Sequence, residues 1–315
     1  MTAYLARRMV GFALNLFLVS MFVFLLLRMV PGDAAANILG QEASPENLEK
    51  FREMHGLNGS LFEQYTRWAG GILRGDFGKS LWSHTSVTST FFSRLPVTLE
   101  IVLLSFTFTL LFGITSGILS ALKQNSLTDM GVRVAAIFGL AIPNFLILTL
   151  LLIVPARFFG YAPPFGATDP FDDLFDNLRL FVPPTLLLAI GSSAVLMRFT
   201  RSGFLEVLRQ DYIRTARAKG LDERVVTLRH AFRNALPPVL TLAGLQLGGL
   251  LSGSIILERV MGLPGLGVWT LDAIQNKDIP VVMLVSTYTA IVVMSINLVI
   301  DLTYALIDPR IRINA

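Results

Sequence analysis

Six apolar stretches, separated by polar segments, dominate the pattern of residues along the chain. A helix that crosses a bilayer needs about 20 mostly apolar residues. The fourth stretch is short and carries Pro183 and Pro184. The pattern predicts membrane spans at Met9–Val30, Val97–Leu122, Val134–Val154, Phe181–Met197, Leu236–Leu257 and Val281–Ile307. The sequence therefore predicts an all-α integral membrane protein with six transmembrane helices.

The first stretch also resembles a secretory signal, because Arg7 and Arg8 precede it and three alanines follow at 34–36. Its apolar run Met9–Leu27 is longer than the roughly 7–15 residues of a signal core. We therefore expect an uncleaved first span.

The polar segments define the expected domain organisation. Residues 31–95 are polar, and Ser44-Pro45 within them is typical of a helix start. The acidic loop 157–180 most simply forms a solvated face. We expect an N-terminal transmembrane helix (1–30), an external segment (31–95), a five-helix transmembrane core (97–307) that includes a cytoplasmic hairpin (203–233), and a cytoplasmic tail (308–315).

Composition and charge agree with a membrane protein and set its orientation. Hydrophobic residues make up 53% of the chain, charged residues 15%, and the mean hydropathy is +0.62. With the N-terminus inside, the inner segments carry fifteen Lys or Arg residues and the two short outer loops carry four. Short cytoplasmic loops are enriched in these residues, so both termini are expected in the cytoplasm. The net charge of +4 then needs no nucleic-acid partner to explain it.

One cytoplasmic segment concentrates positive charge between two spans. Nine Lys or Arg residues lie between Arg198 and Arg233. The pattern predicts a helix, a turn at Gly220 and a second helix opened by Asp222. The first helix is expected to bury a stripe spaced every four residues, namely Phe204, Leu208, Tyr212 and Ala216. Small residues beside the turn favour docking into a protein cleft; the alternative is a basic helix that lies on anionic lipid.

Several apparent chemical motifs are incomplete. The chain has no cysteine, which excludes disulfides and thiolate metal sites. Gly78-Lys79-Ser80 ends like a phosphate-binding loop, but Leu73 stands where that loop needs glycine. The three histidines His55, His84 and His230 lack metal-ligand spacing. We expect no catalytic residue, no metal site and no cofactor in this chain.

Polar side chains inside the spans are candidates for a solute pathway, because they are costly in lipid. The candidates are Asn144, Gln246, Ser252 and Asn297. The alternative is that they join helices to each other. Asp301 is expected to pair with a loop arginine, and Glu258 to reach the outer interface. Three glycine pairs spaced by four residues predict close helix packing: Gly113/Gly117, Gly244/Gly248 and Gly249/Gly253.

The sequence of the basic segment resembles a known family. RTARAKG at 214–220, followed by RHAFRNALP at 229–237, is similar to the cytoplasmic loop of ABC-importer permeases. That loop carries a Glu-Ala-Ala-x3-Gly signature. Here Arg214, Thr215 and Ala216 stand at the first three positions, as in the peptide/nickel branch of the family.

Further similarities to that branch run in order along the whole chain. They are Arg28–Asp33, His55-Gly-Leu57, Gln64-Tyr65 with Trp68, Gly75–Gly78, Arg94–Glu100, Ile142–Phe145, Glu258, Pro264–Gly267 and Asp308–Arg310. The chain resembles the B-type permease subunit of a dipeptide, oligopeptide or nickel importer.

The resemblance implies a type I ABC importer permease fold in a bacterial cytoplasmic membrane. It implies four kinds of partner: a second homologous permease, two cytoplasmic ATPases that bind ATP and Mg²⁺, an external solute-binding protein, and membrane lipid. Di- and oligopeptides are the expected substrates, while nickel chelates, glutathione and oligosaccharides stay open. The residues that it implies for contact with the ATPase are Asp211, Tyr212, Arg214, Thr215, Ala216, Ala218, Lys219, Gly220 and His230.

Two other classes of function would explain a chain with these spans and this basic segment. A secondary transporter would need inverted repeats or paired acids within its spans, and neither pattern is evident. A membrane-anchored scaffold would use the basic segment on lipid alone.

Overall fold

This computed structural model describes residues 2–29, 34–161, 166 and 170–307. Nearly all of this part of the chain is helical. A 3₁₀ turn at Gly40–Glu42 and a π-helical stretch at Val226–Ala231 interrupt the α-helices. The helices, numbered α1 to α13 in chain order, are Thr2–Met29, Ala34–Leu39, Pro45–Met54, Leu61–Leu73, Val87–Leu122, Leu127–Ala141, Asn144–Phe159, Leu174–Leu208, Asp211–Ala218, Glu223–Val225, Phe232–Met261, Leu266–Gln275 and Ile279–Ile307.

The described residues contain five helical segments that are long and apolar enough to cross a bilayer. Helices α6 and α7 together pass the same test and count as a sixth, bent span if they cross as one unit. The five segments are Arg7–Met29, Val87–Leu122, Leu174–Leu208, Glu223–Met261 and Ile279–Ile300. The fold class expected from the apolar pattern is thereby confirmed.

The third span is bent by 90° at a proline, although the apolar run Val134–Val154 predicts one continuous helix. Pro143 has no N–H to donate to the preceding turn, and it disfavours helical geometry at the residue before it. Ile142 is accordingly extended, with φ −90° and ψ 122°. Helix α7 starts immediately after Pro143. The bend is therefore a direct consequence of one residue.

The fourth span is much longer than the expected Phe181–Met197. Helix α8 runs from Leu174 to Leu208 and keeps Pro183 and Pro184 inside it. Asp173 caps its start, because its carboxylate accepts hydrogen bonds from the backbone N–H groups of Phe175 and Asp176. One of the acidic residues of the loop 157–180 thus starts a helix.

The backbone divides into two compact units, and the first comprises Met1–Pro96 with Pro264–Ser295. Ser44 caps α3 as its sequence predicts. Helix α4 starts with a reciprocal capping pair of Ser60 and Glu63. A buried carboxylate ties the polar segment to the start of α13: Asp278 accepts hydrogen bonds from the Ser80 hydroxyl and from the Leu81 N–H.

The second unit comprises Val97–Leu263 with Ile296–Ala315. Its helices α5 and α8 approach closely at two of the predicted small residues. A Cβ on Gly113 would lie 2.8 Å from Leu196, and one on Gly117 would lie 2.6 Å from Thr200. Gly249 by contrast faces open space. The expectation of close packing holds for the pair on α5, and also for Gly244 and Gly253 on α11, where a Cβ would lie 1.8 Å from Ile300 and 2.9 Å from Leu188.

Glu258 in this second unit does not reach the interface, contrary to expectation. Its side chain is fully buried, and its Oε1 accepts a hydrogen bond of 2.7 Å from Thr98 Oγ1. The carboxylate turns towards α5 because a polar partner is available there. The side chain of Asp301, residues Pro31–Asp33 and the tail 308–315 lie outside the described residues.

Candidate functional site

The basic hairpin, residues 203–233, begins where α8 ends. Helix α8 stops at Leu208, so the four-residue spacing from Phe204 does not continue across the break. Tyr212 is exposed, and Ile213 is fully buried in its stead. The expected stripe is therefore wrong at Tyr212, while Phe204 and Ala216 are buried as expected.

A buried apolar cluster holds the hairpin against the rest of its unit. The cluster joins the end of α5, the end of α8, helix α9 and the stretch that leads into α11. Its members are Ala121, Phe204, Ile213, Ala216, Val226, Ala231 and Ala235. Four of the seven are alanines, so the backbones of these helices lie close together. Helix α9 is thereby packed against α5, α8 and the stretch that leads into α11.

The turn after α9 is a Schellman motif that requires glycine. The Gly220 N–H donates to the Arg217 carbonyl, and the Leu221 N–H donates to the Ala216 carbonyl. Gly220 has φ +76°, a left-handed conformation that other residues rarely adopt. The predicted turn is present at this glycine.

Two interactions fix the chain beyond the turn. The Asp222 carboxylate accepts a 2.6 Å hydrogen bond from the Arg224 N–H and so opens α10, as its sequence predicts. Arg217 forms a forked ion pair with Glu223, with Nε at 2.6 Å and Nη2 at 3.2 Å from the two carboxylate oxygens. The ion pair spans the turn and clamps α9 to α10. Its energy is small because both side chains are exposed, but its forked geometry orients the turn.

The residues expected to contact an ATPase occupy one exposed helix and its turn. The exposed ones are Asp211, Tyr212, Arg214, Thr215, Ala218, Lys219 and Gly220. Ala216 differs, because it packs in the buried cluster and positions α9 from behind. His230 is half-buried in the π-helical stretch, away from the turn in sequence.

Apolar side chains beyond the turn add to the exposed surface of the hairpin. Leu221, Val225 and Leu228 are 40%, 39% and 56% exposed, whereas Val226 beside them is fully buried. Cations and apolar side chains together are typical of a surface that a protein partner covers.

A buried ion pair, which the sequence pattern did not single out, braces the end of α8 that leads into the hairpin. Arg201 Nε and Nη2 each lie 2.9 Å from a carboxylate oxygen of the fully buried Asp129. The same carboxylate accepts hydrogen bonds from the Ser120 hydroxyl and the Asn125 N–H. The ends of α5, α6 and α8 are thus joined at one point. The partners are 72 residues apart in sequence, and no local motif marks them.

The four candidate pathway residues fall into different surroundings. Gln246 Nε2 donates a 3.1 Å hydrogen bond to the Ser192 carbonyl, so this side chain joins α11 to α8. Asn144 is half-buried, with its Oδ1 facing Gly191 of α8. Ser252 and Asn297 are exposed. The geometry of Gln246 matches the helix-joining alternative, while the assignment of Ser252 and Asn297 to a pathway stays a prediction.

The part of the chain that the structure describes contains no evident metal site. No three His, Asp or Glu side chains there are grouped so as to hold an ion.

Comparison with known protein families agrees with this geometry. The family described as "Binding-protein-dependent transport system inner membrane component" matches residues 113–313, which include the entire basic hairpin. The corresponding N-terminal family, "Binding-prot-dependent transport system membrane comp, N-term", matches residues 1–104. The chain belongs to this family of inner membrane components.

Relatives of this inner membrane component align with it over almost their whole length. The protein named "Glutathione transport system permease protein GsiC" from Escherichia coli (strain K12) is 38% identical over 312 residues, which cover 99% of each chain. The protein of the same name from Shigella dysenteriae serotype 1 (strain Sd197) gives the same values. The chain is therefore an ABC permease of the dipeptide/oligopeptide/nickel type.

Solved structures show the fold of the permease. The MetNI methionine ABC transporter, in inward-facing conformations, matches with a TM-score of 0.51 at 17% identity, over 67% of this chain and 93% of that one. An amino acid ABC transporter, solved with histidines, has a TM-score of 0.51 at 18% identity, over 69% and 93%. These identities show the fold alone, which is that of a type I ABC importer permease. The fold class and the family inferred from the sequence are both confirmed.

Proposed function

We propose that this permease forms half of the translocation pathway for a small peptide-type solute, with glutathione as the first candidate. The observation that carries the proposal is the full-length, 38% identity to relatives named glutathione transport system permease protein. Di- and oligopeptides share amide groups and a terminal carboxylate with glutathione, so they are the next candidates. Nickel chelates and oligosaccharides are alternatives of the same architecture.

The basic hairpin is the docking element for a cytoplasmic ATPase in this proposal. Its exposed cations and exposed apolar residues form a mixed surface, and the buried cluster behind α9 connects that surface to three other helices. ATP and Mg²⁺ would be held by the ATPase subunits, and hydrolysis would take place there. The permease would convert closure of the ATPases into movement of its own helices.

The working complex in this proposal contains a second homologous permease, two ATPases and an external solute-binding protein. A binding protein and an inner membrane location both appear in the family description. The excess of Lys and Arg in the hairpin and neighbouring loops supports cytoplasmic termini and an external segment at 31–95. That external segment and the loop 157–180 would receive the binding protein.

Uncharged polar groups suit the pathway itself. Asn144, Ser252 and Asn297 offer amide and hydroxyl groups that can hydrogen-bond a peptide without holding it by charge. A conduit must release what it accepts, so weak contacts favour transport. Gln246 is better explained as a bridge between helices, because its amide already bonds the Ser192 carbonyl.

Uptake by cells that carry the complete transporter tests the substrate. Radiolabelled glutathione and trialanine would be supplied to a bacterial strain that lacks its own importers, with and without this permease. We expect permease-dependent uptake of glutathione, with excess unlabelled glutathione competing more strongly than trialanine. Permease-dependent uptake of trialanine that excess glutathione leaves unchanged would make an oligopeptide the substrate. Failure to take up either would overturn the peptide-type assignment.

A further inference from the structure

A cavity in the first unit lies outside the hairpin and the candidate pathway residues. Its volume is about 460 Å³, within the usual range for sites that bind small molecules. Helix α1 lines it with Phe24 and Arg28, α4 with Gln64 and Trp68, and the start of α13 with Met283. We refer to it as the α1/α4 cavity.

Positive charge predominates in the lining of the α1/α4 cavity. Arg28, Arg67 and Lys79 line it, and Asp76 is the only carboxylate in the described lining. Within the described ranges of the chain, none of the three cations forms an ion pair. Arg67 has only a long contact of 3.4 Å to the Gly56 carbonyl. The cavity therefore offers cationic groups to an anion.

Two buried polar atoms of the lining lack a hydrogen-bond partner among the described residues. One is Nε of Arg28, a donor, and the other is Oε1 of Gln64, an acceptor. The orientation of the Gln64 amide is fixed, because its Nε2 donates to the Leu57 carbonyl at 2.9 Å and to the Gly59 carbonyl at 2.7 Å. Buried polar groups without partners are rare and unfavourable. A ligand with an acceptor for Arg28 and a donor for Gln64 would satisfy both.

The remaining wall is apolar and aromatic. The Arg28 guanidinium lies 5.5 Å from the centre of the Phe24 ring, and Trp68, Leu81 and Met283 complete this side. A ligand that fits the cavity therefore combines an anionic group with an apolar part.

We propose that the α1/α4 cavity binds a carboxylate or phosphate group through Arg28, Arg67 and Lys79. A neighbouring N–H or O–H group of the same ligand donates a hydrogen bond to Oε1 of Gln64. Two sources supply this chemistry. One is the terminal carboxylate of a peptide, which follows an amide N–H; the other is the phosphate of a lipid headgroup that carries a hydroxyl. The proposal is independent of which solute the complex transports.

One experiment tests the carboxylate source. The assembled transporter is placed in nanodiscs of phosphatidylcholine and titrated calorimetrically with N-acetyl-trialanine. The C-terminal amide of the same peptide is the matched probe, since it has nearly the same size but carries no negative charge. If the site takes a peptide carboxylate, the acid should give heat of binding and the amide none.

A second experiment tests the lipid source. Native mass spectrometry of the detergent-solubilised complex counts retained lipids after titration with phosphatidylglycerol or with phosphatidylcholine. If the cavity binds a lipid, the complex should retain phosphatidylglycerol in preference to phosphatidylcholine. If it binds the solute instead, the complex should retain the two lipids equally.

The variants Arg28→Gln and Arg67→Gln/Lys79→Gln assign either signal to the cavity. Each should weaken binding about tenfold or more, the loss typical of a charge-assisted hydrogen bond. Arg74→Gln is the matched control, because Arg74 is an exposed cation at the end of α4 outside the lining. It should bind as the unmodified protein does. If Arg28→Gln does not assemble, the double variant decides, since both of its side chains are exposed. Absence of binding in both experiments, or binding that these variants leave unchanged, would overturn the proposal.

Discussion

Gly220 is the residue on which the geometry of the hairpin depends most directly. An L-residue in the left-handed conformation costs roughly 1–2 kcal/mol, and the turn that carries Gly220 connects α9 to α10. Space is not the obstacle, because no atom lies within 4 Å of a Cβ placed there. The cost is therefore one of backbone conformation.

Gly220→Ala and Gly220→Leu should both weaken co-purification of the ATPase subunits and lower uptake, because either side chain strains the left-handed turn, while both proteins still insert. Gly203→Ala is the matched control. Gly203 also has open space around its Cβ but lies within helix α8 with an ordinary φ. Normal co-purification together with normal uptake for Gly220→Leu would refute the role of the turn.

The buried pair of Asp129 and Arg201 gives a second prediction at this scale. Removal of one partner leaves an uncompensated buried charge, which costs about 3–5 kcal/mol. Asp129→Asn should therefore lower the melting temperature of the solubilised complex markedly. The double variant Asp129→Asn/Arg201→Gln should lose less than the sum of the two single variants, because the partners are coupled.

Arg133→Gln provides the control for this pair. Arg133 lies 3.7 Å from the same carboxylate, but its side chain is 51% exposed. Its replacement should change the melting temperature little. If Asp129→Asn and Arg133→Gln lower the melting temperature equally, the buried pair contributes no more to stability than the exposed contact does.

At the scale of helices, polar residues within the spans have two different expected roles. Gln246 joins α11 to α8, whereas Asn297 is a candidate for contact with the solute. Gln246→Leu removes the hydrogen bond to the Ser192 carbonyl, at an expected cost of about 0.6 kcal/mol in a membrane. We expect a lower melting temperature and an unchanged substrate range. Asn297→Leu on α13 should leave the melting temperature unchanged and alter the rate of uptake. If Gln246→Leu instead alters uptake and Asn297→Leu lowers the melting temperature, Gln246 is the pathway residue and Asn297 the one that joins helices.

Helix boundaries show where the sequence pattern is informative and where it is not. The caps at Ser44 and Asp222 and the turn at Gly220 were predictable, because the interactions are local and each is set by one residue type. The break after Leu208 was not, since Arg209 and Gln210 carry no strong helix-breaking signal. Phe204 and Ile213 share one buried cluster across that break. Only tertiary packing selects Ile213 over Tyr212 for burial.

At the scale of the whole molecule, the apolar stretches predict the six spans because the bilayer imposes one length on each of them. Contacts between distant residues follow no such rule. Asp129 and Arg201, or Thr98 and Glu258, are ordinary polar residues in the sequence, and only the folded chain brings them together. The exposed surface of the hairpin was predictable, whereas the buried brace behind it was not.

Orientation in the membrane gives a prediction for the entire chain, which has no cysteine of its own. Single cysteines replace the exposed residues Lys50, Asp172 and Gln124. Those at 50 and 172 should react with an impermeant thiol reagent in intact spheroplasts. The cysteine at 124 should react only after the membrane is opened, because the adjoining loop is expected in the cytoplasm. Labelling in the reverse order would invert the proposed topology.

The π-helical stretch Val226–Ala231 has a consequence for the history of the family. The Phe232 N–H reaches back to the Thr227 carbonyl, five residues earlier, so the stretch holds one residue more than an α-helical turn of the same kind. A π-helical turn can gain or lose one residue while the flanking helices keep the same side chains buried. In an alignment of homologous genes, single-codon insertions and deletions are therefore expected to collect between the position of Gly220 and the start of the fifth span. Two lineages could differ in length there and still present the same hairpin surface.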